Sequence, residues 1–288
     1  MLIKEIYAKT ILNPCGIPGI DFVINPYIGC SFACRYCYAS FMSRMVGKKI
    51  EEWGSYVFPK INAVLLLKKE LPKKLKDKGA GKEIFFSSVT DPYQGIEVKY
   101  KLTRGCLKAL LEFGFLGTVS ILTKSDLVLR DVDLFKKFKN ISVGLTVTST
   151  DDNISRYFEK YAPAVSKRFA ALKTLNQNKV STYAFIGPLL PHFVAKKDEV
   201  EKIFEKLVEV GTKDIFIEHL NLSSYIRNRL IKEIKEVDQK IINDFYLTSS
   251  KAYRKQVETI IYPLIEKYKL RLLKNQVIYH QEYSNNKI

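Results

Sequence analysis

The chain has 288 residues, 47% hydrophobic and 12% aromatic, and carries 47 Lys and Arg against 30 Asp and Glu, a net charge of +17. That length suits one large domain or two small ones with a sizeable core. No run approaches 18 consecutive apolar residues, which argues against a membrane-spanning helix. Five cysteines, three of them clustered, argue for a reducing cytosol over a disulfide framework, and the start, Met1 to Tyr7, lacks the basic-then-apolar form of a secretory leader.

In chain order, short β-branched runs alternate with helical patterns, the mark of βαβ units around a parallel sheet. Residues Phe22 to Pro26 read as the first strand and run into the cysteine segment. A helix is predicted from near Cys37 to Arg44, and a lysine-rich helix over about Asn62 to Lys78, interrupted by Pro72. Glu83 to Val89 is the second strand. Thr103 to Phe113 reads as a helix stopped by Gly114, a residue that accepts positive φ. Thr118 to Thr123 is the third strand, Val132 to Phe138 a short helix, and Ile141 to Thr148 the fourth strand. Lys167 to Asn176 is helical, Val180 to Ile186 is the fifth strand, Lys197 to Val210 is helical, and Asp214 to Leu220 is the sixth strand. Beyond Leu222 the pattern is mainly helical (Tyr225 to Val237, Lys251 to Tyr268), then a short Leu270 to Leu273 segment and a polar, frayed end from Gln281 to Ile288.

Six strands are too few for a closed eight-unit barrel; a partial (β/α)6 barrel fits, with a lateral opening toward the strand C-termini where α/β sites gather. The expected organisation is an N-terminal extension over 1–21, a core over 22–222 and a helical C-terminal appendage over 223–288 packed on it.

The chemistry concentrates in Asn25-Pro-Tyr-Ile-Gly-Cys-Ser-Phe-Ala-Cys-Arg-Tyr-Cys-Tyr38. Its C-x3-C-x2-C spacing offers Cys30, Cys34 and Cys37 as thiolates to one small cluster. Four cysteines usually close an iron–sulfur cube, so a compact triplet leaves one metal corner open. Three inert core cysteines, or zinc with a distant fourth ligand, are the alternatives; zinc more often takes paired sets, and only three histidines exist, His192, His219 and His280. From Lys60 to Lys82 eight lysines face only Glu70 and Asp77, either an electrostatic footprint for nucleic acid or a solvated helix face.

This cysteine loop resembles that of the radical S-adenosylmethionine (SAM) superfamily. Val57 to Asn62, Ser88-Val-Thr-Asp-Pro-Tyr-Gln94, Leu102-Thr-Arg104, Thr123-Lys-Ser125, Arg130-Asp131, Arg156 to Pro163 and Lys167-Arg168 are similar to the spore photoproduct lyase-like branch, often labelled DNA repair photolyases. The resemblance covers about residues 22 to 190. It implies a [4Fe-4S] cluster on Cys30, Cys34 and Cys37, SAM as cofactor, and an electron donor such as flavodoxin or ferredoxin. The reduced cluster cleaves SAM to a 5′-deoxyadenosyl radical that abstracts hydrogen from substrate, while the protein binds, orients and excludes water.

The same resemblance proposes cofactor contacts. Tyr36 would lie beside the adenine, offering its backbone carbonyl. Ser87, Ser88 and Thr90, ending the second strand, would replace a glycine-rich turn that receives the methionine amino group. Asp91 would accept from that ammonium or simply organise the turn. Lys124 is a partner for the SAM carboxylate, or a solvated rim charge. Thr146 and Thr148, two apart on one strand face, are candidates for the ribose hydroxyls. Arg168 would clamp the carboxylate bidentately or form a structural ion pair with Glu159. Gly187 would permit close backbone approach to adenine. Cys106 reads as a buried helix residue, Cys15 as a loop thiol and His219 as a strand-end residue facing substrate or core.

One departure matters. Spore photoproduct lyases place a hydrogen-donating cysteine near the end of the second strand, and this chain has none between Cys37 and Cys106. Repair of the spore lesion is therefore not expected. The reading is a cytoplasmic radical SAM enzyme, with nucleic acid as the leading substrate class on charge. Modification of a peptide or small metabolite, and a nucleic-acid-binding protein with a structural or redox-sensing cluster, are the rivals.

Overall fold

The computed structural model describes residues 1–221, 223–233, 243–245 and 250–279. At its centre β3 (Phe22–Ile24), β6 (Glu83–Phe86), β7 (Thr118–Thr123), β8 (Ile141–Val147), β9 (Thr182–Leu189) and β10 (Asp214–His219) are the six expected strands. Each pairs in parallel with the next. Between β3 and β6 runs α1 (Ala63–Lys74), between β6 and β7 α2 (Glu97–Tyr100) and α3 (Leu102–Phe113), and between β7 and β8 α4 (Val132–Phe135). The connection from β8 to β9 carries α5 (Asp152–Phe158) and α6 (Val165–Gln177), and that from β9 to β10 carries α7 (Lys197–Glu209). This is the partial (β/α)6 barrel that the periodicity predicts, and all six strands end on the same side.

Short strands extend the sheet at both edges. β2 (Leu12–Pro14) runs antiparallel to β3, and β11 (Arg271–Leu272) parallel to β10. A separate sheet orders β1 (Leu2–Ile3), β5 (Tyr56–Pro59) and β4 (Tyr27–Ile28), tying the N-terminal residues to both flanks of the cysteine loop. Strands of two to four residues carry too little alternation to be read from sequence.

Local differences have local causes. α1 runs through Pro72 to Lys74 instead of breaking there: the missing N–H falls in the last turns and frees only the carbonyl of Lys68, a residue exposed to solvent. The helix after Cys37 is a 3₁₀ helix over Tyr38–Val46, closed by Gly47 at φ +69°. α3 ends at Gly114, which takes the left-handed conformation as expected. α8 (Ser224–Glu233) and α9 (Lys251–Tyr268) follow the barrel; the rest of the helix expected to Val237, His280 and the end Gln281 to Ile288 lie outside the described residues. Among those described, no helix is long and apolar enough to cross a membrane.

Candidate functional site

The cysteine loop leaves the C-terminal end of β3 and is clamped from two sides. On one side the Gln94 side chain accepts from Ser31 N (2.8 Å) and donates to Gly29 O (3.2 Å) and Thr90 Oγ1 (2.9 Å). The Thr90 hydroxyl itself donates to Gly29 O at 2.6 Å. On the other side Arg35 N donates to Phe158 O (2.8 Å), Tyr161 N donates to Phe32 O (3.1 Å), and Cys34 bridges Glu159 through the backbone. Two of the segments that carry the resemblance, Thr90 to Gln94 and Arg156 to Pro163, are thus the brackets of the loop.

Cys30 and Cys34 are buried and Cys37 is half-buried. Burial pushes all three thiols up, Cys34 to about 12, and the neighbouring sulfurs reinforce the rise at Cys30 and Cys34, while the Lys124 ammonium opposes it at Cys34 and Cys37. Among the described residues no three His, Cys, Asp or Glu side chains close round a single ion. The donor set fits an iron–sulfur cluster in its chemistry: three soft sulfur ligands on one loop, with a cation facing two of them.

Lys124, at the end of β7, stands with Nζ 3.8 Å from Glu159 Oε1 and 5.8 Å from the centre of the Tyr36 ring. Glu159 is wholly buried and accepts from Arg168 Nη2 (2.5 Å), from the Tyr36 hydroxyl, and from Thr148 Oγ1 and Ser155 Oγ at 3.3 Å each. Burial would raise its pKa, but the Arg168 and Lys124 charges with the Arg168 and Tyr36 hydrogen bonds hold it below the ordinary carboxylate value. Arg168 is equally buried, and its guanidinium also donates to Pro163 O (2.8 and 3.0 Å) and to Thr146 O (3.1 Å). Of its two expected arrangements, the ion pair with Glu159 is the one present. Thr146 enters the network by its carbonyl and Thr148 by its hydroxyl.

Asp91 has both oxygens occupied within the chain. It accepts from Thr123 Oγ1 (2.6 Å), Lys124 N (2.8 Å) and Tyr93 N (2.9 Å), although burial still holds its carboxyl above the usual range. The carboxylate therefore shapes the turn and sets where Lys124 leaves β7. Ser87 adopts φ +67°, and its N–H donates to Ile24 O at 3.3 Å. Ser88 Oγ accepts from Asn25 Nδ2 (3.3 Å), and its carbonyl accepts from the Tyr38 hydroxyl. Gly187 lies on β9, where a Cβ would stand 2.6 Å from the Phe185 ring and 2.8 Å from Glu218 Cβ. Cys106 is fully buried in α3, and His219 packs edge-on to Tyr253 and against Tyr279.

The polar shell beneath the turn is more extensive than the sequence discloses. Glu97, buried, accepts from Tyr27 OH, Thr103 N (3.0 Å) and Arg130 Nη2 (2.8 Å). Asp131, also buried, accepts from Tyr93 OH (3.0 Å) and Arg104 Nη1 (2.6 Å). Leu102-Thr-Arg104 and Arg130-Asp131 are the two halves of this network, and their polarity on otherwise apolar elements is the signal that could have paired them.

The model of the radical SAM superfamily matches residues 24–207. An uncharacterized protein of Methanocaldococcus jannaschii is 39% identical over 261 residues, covering 90% of this chain and 92% of its own. An uncharacterized protein of Mycobacterium tuberculosis is 25% identical over 285 residues, covering 92% and 81%. Among solved structures, a mutant spore photoproduct lyase with bound AdoMet and dinucleoside spore photoproduct superposes with a TM-score of 0.67 at 15% identity, over 93% of this chain and 79% of that one. The loop with three thiols, its position at the head of a partial barrel and the family match converge: this chain is a member of the radical SAM superfamily, built on the fold that spore photoproduct lyase shares.

Proposed function

We propose that this enzyme holds a [4Fe-4S] cluster on Cys30, Cys34 and Cys37, binds SAM at the iron they leave open, and directs the resulting radical at a substrate in the barrel mouth. The cluster and SAM, when bound, supply a 5′-deoxyadenosyl radical able to take hydrogen from an unactivated carbon. The chain's own residues bind and orient. Lys124 receives the SAM carboxylate; its contact with Glu159 is loose, so the ammonium keeps donors to offer. Ser87 and Ser88 receive the methionine ammonium through carbonyl and hydroxyl oxygens at the end of β6. Tyr36, fixed by Glu159, offers its backbone carbonyl to adenine, and Gly187 keeps β9 clear for it. Asp91, Thr90, Thr146, Thr148 and Arg168 act one step back, by holding the turn, the loop and Glu159 in place.

The observation that carries this reading is Lys124: a half-buried cation that acts on Cys34 and Cys37, at the end of the strand next to the serine turn. The charge run argues less for nucleic acid at this site than composition alone implies. Lys73, Lys74, Lys76, Lys78 and Lys82 lie at the end of α1 and in the connection to the start of β6. That is the end of the sheet opposite the cysteine loop, because α1 runs back against the strands it joins. The net charge supports non-specific association, whereas the substrate follows from what meets the barrel mouth.

Anaerobic reconstitution tests the proposal. The loaded protein should bind SAM in equilibrium dialysis and release 5′-deoxyadenosine when reduced. Lys124→Met should keep its iron and lose SAM affinity by about 10- to 100-fold, the loss of one charge-assisted contact. A fully loaded parent protein that does not bind SAM refutes the assignment.

A further inference from the structure

The cationic excess of the chain gathers at one end of the sheet. The connections that enter β6, β8, β9 and β10, residues 75–82, 136–140, 178–181 and 211–213, hold eight lysines against one carboxylate, Asp77. Connections that leave the strands carry no such excess. Residues 87–96 after β6 have one carboxylate and neither Lys nor Arg, and residues 124–131 after β7 have two cations and two carboxylates. Backbone hydrogen bonds join the entering connections into one surface. The Lys78 and Lys82 carbonyls accept from Leu116 N (2.9 Å) and Thr118 N (2.8 Å), the Asn140 carbonyl from Val119 N (3.1 Å), and the Ser181 carbonyl from Val143 N (2.9 Å). Asn176 Nδ2 continues the series by donating to Val210 O at 2.8 Å.

Between residues 136–140 and 178–181 this surface sinks into a cleft of about 510 Å³. Phe135, Phe138 and Val180, all buried, give it an apolar side, and Lys136, Lys139 and Lys179 line it with no acidic side chain beside them. Lys136 Nζ donates to Asn178 Oδ1 at 2.8 Å, a neutral acceptor that leaves the charge unanswered. Lysines elsewhere on the surface pair with carboxylates, Lys82 with Asp21 and Lys202 with Glu199 among them. Lys179 takes φ +60°, the left-handed conformation that Gly211 supplies freely in the turn after α7, so a cation is kept here against strain. A helix C-terminus favours a cation through its dipole, but α4 is a single turn of four residues and three lysines follow it. Three ammoniums against low-dielectric walls focus a positive field on the cleft.

We propose that this end of the barrel is an anchor for the phosphodiester backbone of nucleic acid, centred on the cleft. Four strand spacings of about 4.8 Å separate the entrances of β6 and β10, an arc of about 19 Å. A duplex strand presents a phosphate every ~3.4 Å along the axis, so the arc spans about five or six of them. A lone phosphate would use only the cleft. Contacts of this kind position the partner without reading its sequence. β9 has eight residues, which puts the cleft about 25 Å from the barrel mouth. The anchor thus holds the chain on a polyanion while the mouth stays free, and it does not depend on the cluster.

Fluorescence anisotropy of a short labelled duplex, titrated with the full chain as salt is raised, tests this. Lys136→Gln combined with Lys139→Gln and Lys179→Gln should flatten the slope of log affinity against log salt by about 3, one unit per phosphate contact. A control set on the cysteine-loop side, Lys49→Gln with Lys160→Gln and Lys196→Gln, removes the same charge and should change the slope by less than about 1. All six side chains are exposed, so both sets should keep the parent's circular dichroism spectrum. A parent chain that shows no salt-sensitive binding overturns the inference, as does an equal loss from the two sets, which would make net charge the cause. Inorganic phosphate or a mononucleotide held as tightly as the duplex overturns the nucleic-acid assignment, and so does retention on phosphatidylserine vesicles without retention of the duplex. Cluster-free protein serves for every arm, so failure here leaves the function proposed above standing.

Discussion

Glu159→Ala offers the sharpest test of the network behind the cysteine loop. Glu159 and Arg168 both have fully buried side chains and meet at 2.5 Å. Removing the carboxylate leaves a guanidinium in the core with only the Pro163 and Thr146 carbonyls and a distant serine hydroxyl to answer its charge. Breaking one partner from a buried pair costs about 3–5 kcal/mol, against total stabilities of roughly 5–15 kcal/mol. At about 2 °C per kcal/mol for a chain of this size, Tm should fall by roughly 6–10 °C. The double variant Glu159→Leu with Arg168→Met removes both charges and should recover most of that loss, since apolar replacement of a buried pair is often neutral or stabilising. Thermal unfolding of the apo-protein, followed by circular dichroism for the parent and both variants, measures this without any cofactor. A single variant within about 2 °C of the parent, the shift of only ~1 kcal/mol, or a double variant no better than the single, would refute the reasoning.

Further outcomes follow from the loop brackets and the edge of the sheet. Gln94→Ala strands the Ser31 N–H and the Thr90 hydroxyl contact, about 1–3 kcal/mol of lost support, and reconstituted protein should release iron to a chelator faster than the parent; equal release rates would remove Gln94 from the bracket. Gly54→Ala adds a Cβ inside contact distance of Ala33 at a φ of +96°, so strain and overpacking should lower stability by roughly 2 kcal/mol or more, read as a lower urea midpoint. Glu70 accepts from Leu12 N (2.9 Å) and Lys74 Nζ (3.0 Å) and holds β2 to α1. Burial raises its pKa, but those bonds, the Leu12 amide first, bring it below the ordinary 4.5. Its contribution is therefore complete above the ordinary value of 4.5 and fades as pH falls through the lower folded value. Hydrogen exchange at Leu12 should speed up in that acid window in the parent, and Glu70→Gln should flatten the dependence.

What could be read early, and what could not, divides along physical lines. The six strands and α3, α6, α7 and α9 were legible because each is long enough to repeat its period or is framed by helices that are, and Gly114 marked its helix end through backbone freedom. The seven-residue α5 and the edge strands of two to four residues were not, since a period needs several repeats to show. Arg168 shows the other limit. Its sequence admits a clamp on a cofactor or a partner for Glu159, and only the approach of α6 to the end of α5 decides for the latter.

The chain on its own marked out the three clustered cysteines, because C-x3-C-x2-C is a local property of one loop, and with them the radical SAM superfamily to which it belongs. Tertiary structure alone decided which polar groups remain available around those sulfurs. Whether a lysine or a carboxylate is satisfied depends on neighbours as far as 33 and 123 residues away, and desolvation in the folded core makes every unpaired donor count.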